Sequence, residues 1–207
     1  MPDSSGILDR MSNRPGIGEF KMATAIDDRR DLSESEIEER EGFFEFIDGR
    51  YVEKPSPGAS ASELTLLLMF RLMGHVLANR LGHCYGAKTV YQIFPDDPKR
   101  SRIPDGSFIR AGRLPKEKSP RGELSIAPDL AIEVVSPNDF VENLHERIND
   151  LLGAGVRLLW VVVPGTREIY VHRGDRTVTR LSTDDELTGE DVVPGFSCRI
   201  GELFDAV

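Results

Sequence analysis

Hydrophobic and polar positions along this chain change period several times, and each change marks an element. Between residues 64 and 77 apolar side chains recur every three or four positions, with Leu64, Leu67, Leu68 and Leu72 on one side of a helix and Leu66, Met69, Phe70, Met73 and Leu77 on another. Ser60 and Glu63 read as a capping box ahead of this run, and Gly82 as its stop, so a helix over residues 60–81 is predicted. A helix that is apolar on both sides needs packing on both. One side covers a sheet; the other takes a second layer or a second copy of the chain, which makes a homodimer one expectation. Helical spacing returns with Leu144, Ile148, Leu151 and Leu152, predicting a helix over residues 139–154 that stops at Gly153-Ala154-Gly155.

The strand signals are shorter. Residues 43–47 and 50–53 flank Asp48-Gly49, whose positive backbone angles suit a tight hairpin turn. Residues 85–94, 103–110 and 128–135 read as strands, with a polar connection over 111–125. An apolar strand at 157–163 turns through Pro164-Gly165-Thr166 into 168–172, and a further hairpin passes Gly174-Asp175 to Val178. The order is strand-rich with two main helices, which predicts an α/β (α+β) fold: a mixed sheet flanked by helices, with additional β-hairpins. Residues 1–32 show no sustained period, and Ser33 with Glu36 fits a short capped helix. Residues 1–40 are therefore expected to be a mobile acidic tail, and residues 41–207 a single domain.

Charge narrows the function classes. A formal net charge of −9 argues against coating nucleic acid by electrostatics alone. The sign reverses locally between Pro95 and Arg121, where Lys99, Arg100 and Arg102 begin a basic stretch that a nucleic acid could contact. Cys84 and Cys198 lie far apart with no metal or redox spacing, and the first twenty residues lack the apolar block of a secretory signal. With no run of eighteen apolar residues, the reading is a cytoplasmic protein without a membrane span.

The chemistry centres on two strands that each open with Pro-Asp, Ile103-Pro104-Asp105 and Ala127-Pro128-Asp129. The second carries Glu133 inside an apolar run, and a buried carboxylate must be answered by a metal ion, a cation or a proton. Alternation puts Asp129 and Glu133 on one face. If the strand holding Asp105 lies alongside, two or three carboxylates converge, and oxygen donors of that kind suit a hard cation such as magnesium. Arg147 shares its helix stripe with Leu144 and Leu151 and leans toward the sheet, where Glu133 or Asp129 is its natural partner. The spacing alone leaves a structural ion-pair network open as the alternative.

The succession of the Asp48-Gly49 hairpin, the long helix, Ile103-Pro104-Asp105, Pro128-Asp129-Leu130-Ala131-Ile132-Glu133-Val134-Val135-Ser136-Pro137, the run from Ala154 to Pro164, and Val193-Pro194-Gly195-Phe196 resembles the Uma-type restriction endonucleases of the PD-(D/E)XK superfamily. The likeness spans roughly residues 43–204. It implies a restriction-endonuclease-like core in which Asp105 and Glu133 hold magnesium or manganese and DNA is the substrate, with Asp129 as an auxiliary. It also implies an assisting lysine. Position 135 is valine, and the helix position where such sequences place a relocated lysine is Arg147, which makes Arg147 the expected catalytic cation: it can hold a phosphate oxygen or a developing negative charge but cannot act as a base. Lys54 and Lys88 are the candidate substitutes. The competing expectation is a catalytically silent relative that binds nucleic acid or protein on the same fold.

Overall fold

Pairing of six strands builds one mixed sheet in which spatial neighbours follow chain order. In the computed structural model, residues 42–54, 57–136 and 139–207 are described. The predicted tail over 1–40, with its Ser33/Glu36 helix, lies outside them. A hairpin, β1 (Phe44–Ile47) and β2 (Arg50–Glu53), precedes helix α1 (Ala59–Asn79). The sheet strands are β3 (Gly82–Gly86), β4 (Gly106–Arg110), β5 (Leu130–Val134), β6 (Leu158–Val163), β7 (Glu168–Arg173) and β8 (Val178–Leu181), and helix α2 (Val141–Gly153) connects β5 to β6. Only β5 and β6 run parallel, as a helical crossover requires; the other neighbours are antiparallel. β9 (Glu186–Thr188) pairs with β10 (Ser197–Arg199) ahead of a short helix, α3 (Ile200–Phe204).

Both sheet faces are covered, which explains why β5 and β6 read as near-continuous apolar runs. Leu130, Ile132, Val134, Leu158, Trp160 and Val162 point to the face sealed by Leu64, Leu68, Leu72 and Val76 of α1, with Phe196, Ile200 and Leu203 closing its end. Ala131, Leu159 and Val161 point the other way, onto Ile148 and Leu151 of α2. Period two places Glu133 on that second face. By length and composition α1 is also apolar enough to cross a membrane, although its Leu64 to Val76 side is packed on the sheet.

Three local expectations are corrected. The strand expected over 85–94 ends at Gly86, because Lys88 turns the chain at φ +90° and Tyr91 makes only isolated bridges to Arg102 and Leu124. Helix α1 starts one residue ahead of Ser60, with Gly58 at the N-cap and no side-chain cap, so the Ser60/Glu63 box does not form. Arg80, at φ +55°, ends the helix, and Gly82 serves β3. A Cβ at Gly82 would come within 2.1 Å of the Ile109 carbonyl oxygen, so its strand pairing requires a bare backbone. The Asp48-Gly49 turn forms as predicted, with φ of +48° and +82°.

Candidate active site

Register brings the two carboxylates together. β4 runs antiparallel to β5 with Gly106 opposite Ile132, so one residue further along Asp105 stands opposite Glu133 on the same face. The Asp105 N–H donates to the Ile132 carbonyl at 3.0 Å, and its Oδ2 accepts from the Val134 N–H at 2.8 Å. Asp105 is thereby fixed at the strand entrance, with Oδ1 left to face a cation.

That cation is Lys54, delivered by the β1–β2 hairpin. Its Nζ lies 2.8 Å from Asp105 Oδ1 and 3.7 Å from Glu133 Oε2, and donates to the Ile103 carbonyl at 2.5 Å. The hairpin is held there by its first strand. Phe46 exchanges hydrogen bonds with Ser101, through its N–H to Oγ at 2.9 Å and its carbonyl from the Ser101 N–H at 2.8 Å. Buried Glu45 accepts from the Ile103 N–H at 2.7 Å and from Arg102 Nη1 at 2.8 Å. Arg102 also donates through Nε to Asp150 of α2 at 2.7 Å, and Arg100 binds the same carboxylate. Hairpin, β4 entrance and α2 are thus joined by one ionic lattice behind the carboxylate pair.

Arg147 closes the other side. Its Nε lies 3.3 Å from Glu133 Oε2, too poorly aimed to count as a hydrogen bond, while Nη2 donates to Asp139 Oδ1 at 2.9 Å. Asp139 is itself fixed by the Ser136 N–H at 2.7 Å. Glu133 is only 2 % exposed. Burial pushes its carboxyl up to about 7, against the attraction of Lys54 and, more weakly, Arg147; Asp105 adds to the rise. Burial works to lower the Lys54 ammonium, yet Glu133, Asp105 and Glu45 together hold it above its ordinary value. Lys54 is therefore charged at neutral pH and is no proton acceptor in this arrangement.

The structure unites Asp105, Glu133 and Arg147 and adds Lys54. Asp129 stays apart: its Oδ2 accepts from the Arg110 N–H at 2.8 Å and from Arg113 at 2.7 Å, at the far end of β5. Lys88 lies over the Phe43 ring, away from the carboxylates. The basic stretch also reads differently. Arg102, expected to meet nucleic acid, is buried with its guanidinium spent on Glu45 and Asp150. Arg100 packs on Phe94 and pairs with Asp150, which leaves Lys99 the most exposed of the three. Glu45, Asp139 and Asp150 were not singled out from the sequence. Glu45 carried the same signal as Glu133, a carboxylate between apolar strand neighbours.

Among the described residues no group of three or more His, Cys, Asp or Glu could hold a metal. The donor set is the Asp105–Glu133 pair. It fits a hard divalent cation in chemistry: two carboxylate oxygens already share one positive charge, and no well-aimed hydrogen bond reaches Glu133 from the described residues. Two protein oxygens leave room for the waters and substrate oxygens that magnesium retains.

A six-stranded mixed sheet flanked by helices, with Asp105 and Glu133 brought together on neighbouring interior strands, defines an α+β protein with a buried acidic pair. The same fold is found in a crystal structure described as a putative nuclease belonging to DUF820 from Anabaena variabilis, with a TM-score of 0.68 and 21 % identity, over 83 % of this chain and 96 % of that one. The family model Uma2, putative restriction endonuclease, matches residues 29–201, and the chain belongs to that family. No curated protein matches it.

Proposed function

We propose that this chain is a divalent-metal-dependent endonuclease hydrolysing DNA phosphodiester bonds, with Asp105 and Glu133 as its metal-holding carboxylates. The observation that carries the reading is the convergence of two carboxylate oxygens, from opposed strands, on one cation at 2.8 and 3.7 Å in a buried corner. Magnesium or manganese bound there would supply Lewis acidity, lowering the pKa of a bound water and stabilising negative charge on the phosphate. Asp105 and Glu133 hold that charge in place, and the Val134 N–H keeps Asp105 in its rotamer.

Lys54 takes the part of the assisting lysine. Its ammonium stands beside both carboxylates on a partly exposed side chain, so it can hold a phosphate oxygen or a developing negative charge. Arg147 is buried between Glu133 and Asp139 and acts as a positioning residue that aims Glu133. Membership of a nuclease-like family supports nucleic acid as the substrate. One observation favours a second reading, a catalytically silent relative: the Lys54 ammonium already occupies the position between the two carboxylates that a metal ion would take.

Plasmid and single-stranded DNA incubated with purified protein in magnesium or manganese separate the two. Cleavage that is lost with chelator and in Asp105→Asn supports the nuclease. Equal residual cleavage in wild type and variant, under either metal, supports the silent relative.

A further inference from the structure

We infer that α1 is the interface of a homodimer in which two copies pack their outward helix faces antiparallel about a two-fold axis. The inference does not depend on the nuclease reading. Directly opposite the face that α1 buries on the sheet lie Leu66, Phe70, Met73 and Leu77, exposed by 71, 68, 43 and 66 %. Scattered apolar residues on a surface need no explanation, but four aligned on one helix do.

Their spacing of four, three and four is the period of a two-helix seam. An axis passing between Arg71 and Leu72 sets Leu66 against the partner's Leu77 and Phe70 against the partner's Met73. The same axis sets Glu63 against the partner's Arg80, and the reciprocal pair forms at the other end. Glu63 and Arg80 are both exposed, and among the described residues neither takes part in an ion pair. A single register thus matches large apolar groups at the centre and opposite charges at both rims, which is the self-complementarity that a two-fold interface requires. In a parallel pairing in register, Glu63 would meet the partner's Glu63 and Arg80 the partner's Arg80.

Analytical ultracentrifugation of the full chain from about 1 to about 100 µM tests the interface, with charge exchange testing the register. Wild type is expected to sediment as a dimer. Phe70→Lys is expected to be monomeric with an unchanged far-ultraviolet circular dichroism spectrum, because the side chain is exposed in the single chain. Glu63→Arg and Arg80→Glu should each weaken dimerisation roughly tenfold, and the double variant should recover wild-type affinity. A monomeric wild type at the top of this range overturns the inference. Flotation of that monomer with phosphatidylcholine vesicles would then assign the strip to a lipid surface. A wild-type dimer that Phe70→Lys leaves intact, or a double variant as weak as the singles, also overturns it.

Discussion

Replacing Glu133 by glutamine removes one ionisable group from a place where burial holds a carboxyl at about 7 in the folded chain, against an ordinary 4.5. Between those two values the native state keeps a proton that the unfolded chain has released, so wild-type stability falls as pH rises through the window and is flat outside it. The gap is worth about 3 kcal/mol at about 1.4 kcal/mol per unit. Glutamine is close to isosteric and does not titrate. Its variant should therefore gain about 3 kcal/mol on wild type between about pH 4.5 and about pH 7.5. Urea unfolding of both proteins in chelator, at half-unit steps of pH, measures this directly. Taking the difference between the two cancels every other group that titrates in common. A difference constant across the window would mean instead that Lys54 and Arg147 offset burial in full. A difference of opposite sign would mean that they hold Glu133 below its ordinary value.

Four further outcomes follow from the same geometry. Manganese binding requires ionised Glu133, so affinity measured by calorimetry should fall about tenfold for each pH unit below about 7 and level off above it. Lys54→Gln should lower the DNA cleavage rate by roughly a hundredfold in single-turnover assays, and a rate within threefold of wild type would remove Lys54 from the chemistry. Arg147→Ala strips the guanidinium from buried Glu133 and half-buried Asp139 and should cost about 3–5 kcal/mol in urea unfolding, with Arg147→Lys recovering part of that loss. Arg102→Ala should destabilise by a similar amount, about 3–5 kcal/mol, yet leave the salt dependence of DNA binding unchanged, since Arg102 is a lattice member and not a phosphate contact.

The carboxylate pair was legible in the sequence because its determinants are local. Period two fixes which face Glu133 occupies, a Pro-Asp marks each strand entrance, and antiparallel pairing of neighbouring strands sets Asp105 opposite Glu133. The same alternation misjudged the reach of Asp129. It shares the face, but four residues along a strand is about 13 Å, and the Arg110 backbone N–H of β4 and the Arg113 guanidinium hold its carboxylate there. Arg147 was visible as a charge on an apolar stripe. What could not be read was its division between Glu133 and Asp139, which depends on how the chain leaves β5.

Lys54 could only be named as a candidate. Its position rests on the docking of a hairpin through Glu45, Ser101 and Arg102, contacts that span roughly fifty residues and carry no periodic signature. The same long-range pairing explains why two members of the basic stretch read differently in the structure: Arg100 and Arg102 are taken up by carboxylates of β1 and α2. The second apolar side of α1 was legible in the sequence except at Met69, which was grouped with the outward residues but packs against the sheet core beside Gly106.

Asp105 and Glu133 are proposed to form a metal site from which Lys54 yields. Anomalous diffraction from crystals soaked in manganese above about pH 7.5 tests it most directly. An anomalous peak is expected between the two carboxylates, with the Lys54 ammonium moved off Asp105. The absence of any peak there, with Lys54 still bridging Asp105 and Glu133 at full soaking concentration, would contradict it.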